Sequence, residues 1–309
     1  MKIVFMGTPE YAVNTLNALI KDGHEVAAVF CQPDKPVGRK QILTPPPVKV
    51  CALENNIPVF QPNTLRDGKA YEILKEINPE VIVVVAYGKI LPKEILNIPK
   101  YGCVNGHASL LPKYRGASPI QWCIVCGEIE TGVTVMRMDD GMDRGDILKI
   151  VQTEIGTEET AEELFERLSV ITAELLVNTL SDLEKGNITP QKQDEKNATY
   201  APIIKKEMAK LDFTKTAADI HNAVRGYYSW PCAFFMLNGK RIKVLSAKLG
   251  DKTTKNSGTV IANGEELVIA CGNNTSIRLL SVQPEGSKPM TSKQMLCGNK
   301  IPLGTVVGE

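Results

Sequence analysis

Histidine and tryptophan are scarce in this sequence, three and two of 309 residues. Neither sign of charge is in excess, since Lys and Arg number 36 and Asp and Glu 35. Bulk charge therefore gives no reason to expect a nucleic-acid or membrane-surface partner. There is no run of about 20 apolar residues, the length a membrane-spanning helix needs. The longest, Val81–Tyr87, has the length of a buried strand. The amino-terminal run MKIVFMGTPEY breaks at Gly7, too early for a signal peptide. A cytoplasmic protein with its eight cysteines reduced is expected. Cys123 and Cys126 form a CxxC, but no second pair or neighbouring histidine completes a zinc site. No metal is expected, and the pair reads as two buried thiols on a helix. The glycine-rich phosphate loops are missing too. After the first strand the chain reads GTPEYA, with neither G-x-G-x-x-G nor G-K-[ST], which argues against a bound dinucleotide.

What is present is 43% hydrophobic residues and 23% charged, the composition of a globular protein with real cores. The length fits two domains. The first half alternates β-rich runs with helical patterns, the mark of βαβ units around a parallel sheet. Strands are predicted at Lys2–Met6, Glu25–Phe30, Pro58–Phe60, Glu80–Ala86, Cys103–His107 and Gly132–Met138. Thr8 and Pro9 open a helix with Val13, Leu16 and Ile20 on one face, and Ser118 and Pro119 open one through Cys126. Thr160 and Glu163 form a capping box before Leu164, Leu168, Ile171 and Leu175, a long helix that Gly186 ends. Residues 187–205 are polar, carry two prolines and read as a linker. Beyond them come one helix, Ala217–Val224, and five strands at Ala233–Leu237, Arg241–Leu245, Gly258–Ala262, Glu266–Ala270 and Ser276–Val282. Asn238-Gly239 and Asn263-Gly264 are hairpin signals between them. The fold class expected is α/β, a Rossmann-like domain (1–186) with a parallel-rich sheet, followed by a small OB-like β-barrel (206–309).

Division at residue 205 also uncovers a charge asymmetry. Residues 1–205 hold 22 basic and 27 acidic side chains, and residues 206–309 hold 14 and 8. The basic part, with Lys240, Arg241, Lys243 and Lys248 on or beside strands, suits a polyanion, or is a chance segregation of solvated charge.

In a doubly wound sheet the ligand crevice lies at the carboxyl ends of the strands. Two such ends carry chemistry here. One is Asn105-Gly106-His107, where alternation aims Asn105 and His107 at one face. The other is the glycine-punctuated acidic loop Asp139–Asp146. A histidine beside a carboxylate can shuttle protons near neutral pH, and an asparagine can donate to a developing oxyanion. With no serine or cysteine nucleophile placed by a base, the set fits direct acyl transfer between amines. A core histidine and a solvated acidic turn remain the alternative. His24, in a turn, and His221, on a helix, read as structural.

The segments Phe5–Pro9, Gln32–Arg39, Asn105–Gly116 and Gly141–Asp146, with Trp230-Pro231 further on, resemble the methionyl-tRNA formyltransferases over essentially the whole chain. The resemblance implies formyl transfer from 10-formyltetrahydrofolate to the α-amine of methionyl-initiator tRNA, for translation initiation. It implies Asn105, His107 and Asp143 as catalytic residues and Ser109, Leu110, Leu111 and Pro112 as lining the folate site. Loop 33–45 resembles the insertion that meets the tRNA acceptor end, with Lys35, Arg39 and Lys40 as candidates and Arg39 the best single one. Asp139, Asp140 and Asp146 are rivals of Asp143. A monomer is expected. One position departs from the family: a branched aliphatic usually separates the asparagine and histidine, and here Gly106 does. Glycine packs nothing, so either a neighbour approaches closely there or the two side chains are held from elsewhere.

Overall fold

The computed structural model describes residues 1–38, 40–298 and 301–308. Two units make up the chain, and they are interleaved in sequence. The first comprises residues 1–116, 130–154 and 165–201, the second 117–129, 155–164 and 202–309.

Along the first half run β1 (Lys2–Gly7), α1 (Glu10–Lys21), β2 (Glu25–Phe30), β3 (Lys35–Val37), β4 (Ile42–Thr44), α2 (Pro47–Glu54), β5 (Val59–Phe60), α3 (Lys69–Ile77), β6 (Val81–Val85), α4 (Lys93–Leu96) and β7 (Cys103–His107). There follow β8 (Arg115–Gly116), α5 (Pro119–Val125), β9 (Glu130–Arg137), β10 (Ile147–Glu154), α6 (Ala161–Glu184) and β11 (Tyr200–Ala201). Seven strands form one sheet in the order β10-β9-β7-β6-β1-β2-β5. From β5 to β7 the neighbours are parallel, and β9 and β10 are added antiparallel. The central strands are what their composition demands. Val81–Val85 is entirely β-branched and entirely buried, as a strand covered on both faces should be. β1 lies between β2 and β6, so the strand order reverses there and opens a crevice at the carboxyl ends. The parallel-rich sheet is the expected one.

Several local expectations need correction. Pro9 is the N-cap of α1 rather than its first residue, and Thr8 makes no cap. Its hydroxyl instead donates to the Tyr87 carbonyl and accepts from Gln32 N–H. Loop 33–45 contains a small hairpin, β3 paired with β4. The edge strand β10 was not expected, because a bulge between Ile147 and Lys149 breaks its alternation and Ile150 and Val151 are exposed. The capping box is as expected, Glu163 N–H donating to Thr160 Oγ1 and Thr160 N–H to Glu163 Oε2. Residues 187–205 lie along the first unit as far as Ala201, through a bridge between Gln191 and Ile147 and the pairing of β11 with β8.

In the second unit, α7 (Ala217–Gly226) packs on an antiparallel sheet of β12 (Phe234–Leu237), β13 (Lys240–Leu249), β14 (Val260–Asn263), β15 (Leu267–Cys271), β16 (Thr275–Pro284) and β17 (Met290–Thr291), and α8 (Ser292–Gly298) closes the chain's regular structure. The order is β12-β13-β16-β15-β14, with β17 on β16. Register shifts in β13 and β14 curl the sheet, as bulges do, into the OB-like form expected. Asn238 and Gly239 take φ of 50° and 74° in the β12–β13 turn, the left-handed pair that Asn-Gly favours. Trp122 and Val125 of α5 pack against this unit's core. Among the described residues no helix is long and apolar enough to cross a membrane.

Candidate active site

Strand β7 sets the site. It pairs parallel with β6, Asn105 beside Val84, and antiparallel with β9, Asn105 opposite Met136 and His107 opposite Thr134. Alternation puts Asn105 and His107 on one face and Gly106 on the other. A Cβ at Gly106 would stand 2.7 Å from Thr172 Cγ2 and 3.0 Å from Leu176 Cδ1. Helix α6 therefore rests directly on the backbone between the two polar residues, and of the two readings of Gly106 the close neighbour holds. Thr172 is itself fixed, its hydroxyl 2.6 Å from that of Tyr11.

Asn105 is 8% exposed and His107 7%. No described residue hydrogen-bonds the Asn105 carboxamide, a nearly buried group with donors and an acceptor to spare. His107 Nε2 lies 2.9 Å from the Tyr114 carbonyl. Donation there leaves the lone pair on Nδ1, whose nearest charged neighbour is Asp143 Oδ2 at 3.7 Å, too long for a hydrogen bond.

The segment after β7 is built around a buried threonine. Thr134 Oγ1 donates to the Ser109 carbonyl at 2.7 Å and accepts from Leu111 N–H at 3.1 Å. Ser109 spends its hydroxyl on the Lys113 carbonyl at 2.6 Å. Leu111 is buried with Met136 and Ile147, and Leu110 lies over Gly132. Ser109 and Leu111 thus shape the loop, while Leu110 and Pro112 are half-buried.

Of the acidic loop's carboxylates the structure brings only Asp143 to His107. Asp140 pairs with Lys93 at 2.8 Å, which holds its carboxyl below the usual range. Asp146 pairs with Lys192 at 2.9 Å, and Asp139 accepts from Gly141 N–H. Asp143 has φ +52°, a left-handed conformation that costs a non-glycine residue about 1–3 kcal/mol and persists only where its surroundings enforce it. Its Oδ2 accepts from Gly116 N–H at 2.8 Å, and its carbonyl accepts from Gln193 Nε2 at 2.9 Å. Gly145 beside it has no room for a side chain, a Cβ there falling 1.7 Å from the Arg137 carbonyl oxygen.

Two residues at this site carried no role in the sequence reading. Arg115 is fully buried and donates to Gln193 Oε1 at 3.1 and 2.8 Å and to Glu195 at 3.0 and 2.9 Å. Gln193 comes from the expected linker, where a glutamine in a polar run gives no signal. The guanidinium in turn holds the Glu195 carboxyl below the ordinary range.

The β3–β4 hairpin presents Lys35 and Lys40 to solvent, with Val37, Ile42 and Leu43 exposed at 56, 61 and 64%. Arg39 lies outside the described residues. Asp34 anchors the hairpin's root, bonded to Lys49 Nζ at 2.9 Å and Gln61 Nε2 at 2.8 Å. Gln61 and Lys49 hold its carboxyl below the usual range. The other histidines are placed structurally, His24 between the amino terminus and Asp22, and His221 beside Glu158. Burial lowers both from the usual histidine value. Cys123 is buried, but Cys126 is exposed, lying at the C-cap where α5 ends, so the pair is not two buried thiols. Among the described residues no group of three or more His, Cys, Asp or Glu could hold a metal ion.

Residues 1–180 match the family model described as formyl transferase, and residues 203–300 that of the formyl transferase C-terminal domain. A methionyl-tRNA formyltransferase of Lachnospira eligens is 46% identical, covering 100% of both chains. One of Bacillus subtilis is 44% identical over 99% of this chain and 98% of its own. Among solved structures, WlaRD, a sugar 3N-formyl transferase crystallised with dTDP and 5-N-formyl-THF, superposes with a TM-score of 0.69. It is 23% identical and is matched over 93% of this chain and 99% of its own.

Proposed function

The chain belongs to the formyl transferase family, among its methionyl-tRNA formyltransferases, and on that premise we propose that it carries the formyl group of 10-formyltetrahydrofolate to the α-amine of methionine on initiator tRNA. One observation supports the chemistry above the rest: a nearly buried Asn105 carboxamide that no described residue hydrogen-bonds, beside a histidine faced by the Asp143 carboxylate. The amine nitrogen attacks the formyl carbon, and a C–N bond forms as the carbonyl oxygen becomes an oxyanion. Asn105 donates to that oxygen, with His107 at its side. Donors set in advance around a developing charge need no reorganisation during the reaction. The amine's proton passes to N10 of the folate as the N10–formyl bond breaks. His107 Nδ1 or a water carries it, and Asp143 stabilises the imidazolium formed on the way.

The loop Ser109–Pro112 lines the folate side of the crevice. Lys35, Arg39 and Lys40 meet the acceptor end of the tRNA. Residues 1–186 do the chemistry, and the basic residues of 206–309 carry phosphates. The test is formyl transfer from 10-formyltetrahydrofolate to charged initiator tRNA, with charged elongator tRNA as control. Removal of one oxyanion donor by Asn105→Ala should cost about 100- to 1,000-fold in kcat. Near-native turnover of that variant would sink the assignment.

A further inference from the structure

Asp143 is held at both ends by one dipeptide. Its carboxylate accepts from the backbone N–H of Gly116 at 2.8 Å. Its carbonyl reaches Arg115, the preceding residue, through Gln193. The Gln193 oxygen takes two N–H groups of the buried guanidinium, and its amide nitrogen donates to the carbonyls of Asp143 at 2.9 Å and Gly145 at 2.8 Å. Only one orientation of that carboxamide satisfies all four contacts, since the reverse sets its oxygen against two carbonyls and its NH2 against a cation. Arg115 and Gly116 are themselves fixed by pairing with Tyr200 and Ala201. Without Gln193 the carbonyls of Asp143 and Gly145 lose their side-chain donor, and among the described residues the Gly116 N–H is the one hydrogen-bond partner left to Asp143, a single contact about which the carboxylate can turn relative to His107.

We propose that Gln193 is a positioning residue for formyl transfer, fixing Asp143 against His107 with the Arg115 guanidinium as its fixed post. The proposal rests on the functional reading above, in which Asp143 serves His107. A side chain that orients a catalytic group without touching substrate should affect kcat rather than KM.

Gln193→Glu keeps the acceptor for Arg115 and the side chain's shape but loses both donors to the acidic loop. Gln193→Met removes the same donors without adding charge, though it also takes the acceptor from Arg115, which keeps Glu195, and it carries the test if the glutamate variant does not fold. With thermal unfolding confirming the fold, each should lower kcat by about 10- to 100-fold, the scale of a misplacement near 1 Å, with KM for both substrates near the native value. In an Asp143→Asn background the same substitutions should cost nothing further, because no carboxylate remains to be placed. A native kcat in both variants, or an equal fold-loss with and without the Asp143 carboxylate, would overturn the role. Inability of the native enzyme to formylate charged initiator tRNA would instead refute the functional reading.

Discussion

A methyl group added at Gly106 would meet helix α6 before anything else. In Gly106→Ala the new Cβ stands 2.7 Å from Thr172 Cγ2, about 1 Å inside a comfortable carbon–carbon contact. Leu176 Cδ1, at 3.0 Å, is the end of a flexible side chain and can swing away. Thr172 cannot turn freely, because its hydroxyl is hydrogen-bonded to Tyr11, which also donates to the Leu168 carbonyl. Overpacking of this kind costs about 1–3 kcal/mol. The structure also names the compensating change. Thr172→Ser deletes the methyl in the way and keeps the hydroxyl for Tyr11, and alone it should cost about 1 kcal/mol for one buried methyl. Together the two should cost about 1 kcal/mol rather than the 2–4 kcal/mol that independent sites would give. Urea unfolding measures this through the midpoint at constant m, and turnover of the folded variants shows whether the strand between Asn105 and His107 has moved. If the two costs add within about 0.5 kcal/mol, Gly106 is not there to admit α6.

Thr134→Val should destabilise by about 2–4 kcal/mol, since it strands the Ser109 carbonyl and the Leu111 N–H in the interior; urea unfolding reads it, and a cost under 1 kcal/mol would mean that water replaces the hydroxyl. Asp34, with its carboxyl held low by Gln61 and Lys49, contributes stability that is present above its unfolded value near 4 and lost as pH falls through its lower folded value. Thermal unfolding of Asp34→Asn against the native protein should therefore differ at neutral pH and converge below about pH 4. Lys35→Ala and Lys40→Ala should each reduce the salt dependence of tRNA binding by about 0.7–0.9 in the log–log slope. An unchanged slope in titrations across salt would remove that lysine from the interface.

The part of this fold that follows from chain chemistry alone is the part with strong periodicity. The all-apolar β6 and the alternation of β7, which put Asn105 and His107 on one face, were plain from residue order. So were the capping box of α6 and the Asn238-Gly239 turn. Elements with mixed exposure were hidden. In β10 exposed Ile150 and Val151 sit beside a bulge, and the β3–β4 hairpin holds only three residues a side. At the site, motif residues pointed to the asparagine, the histidine and the acidic loop. Residue order left the four aspartates open and only the resemblance named Asp143, because Lys93, Lys192 and the Gly141 amide, each occupying a rival, come from no recognisable pattern. Thr134 and Gln193 act through hydrogen bonds to backbone atoms far away in sequence, and such partners leave no mark on residue order.

The interleaving of the two units bears on how this protein can be taken apart. Residues 117–129 and 155–164 leave the first unit's run of sequence to join the second. There, Gly226 of α7 lies so close to α5 that a Cβ would stand 2.5 Å from Val125 Cγ2, and Arg225 donates to the carbonyls of Gly156 and Glu159. A single cut near residue 201 would therefore not release two intact halves. The amino-terminal fragment would keep α5 and the 155–164 segment but lose the helix that receives them. The carboxyl-terminal fragment would lose what covers Gly226 and Arg225. Neither half is a cassette that could be swapped between relatives by one splice, and an exchange would have to carry both inserted segments along with residues 202–309.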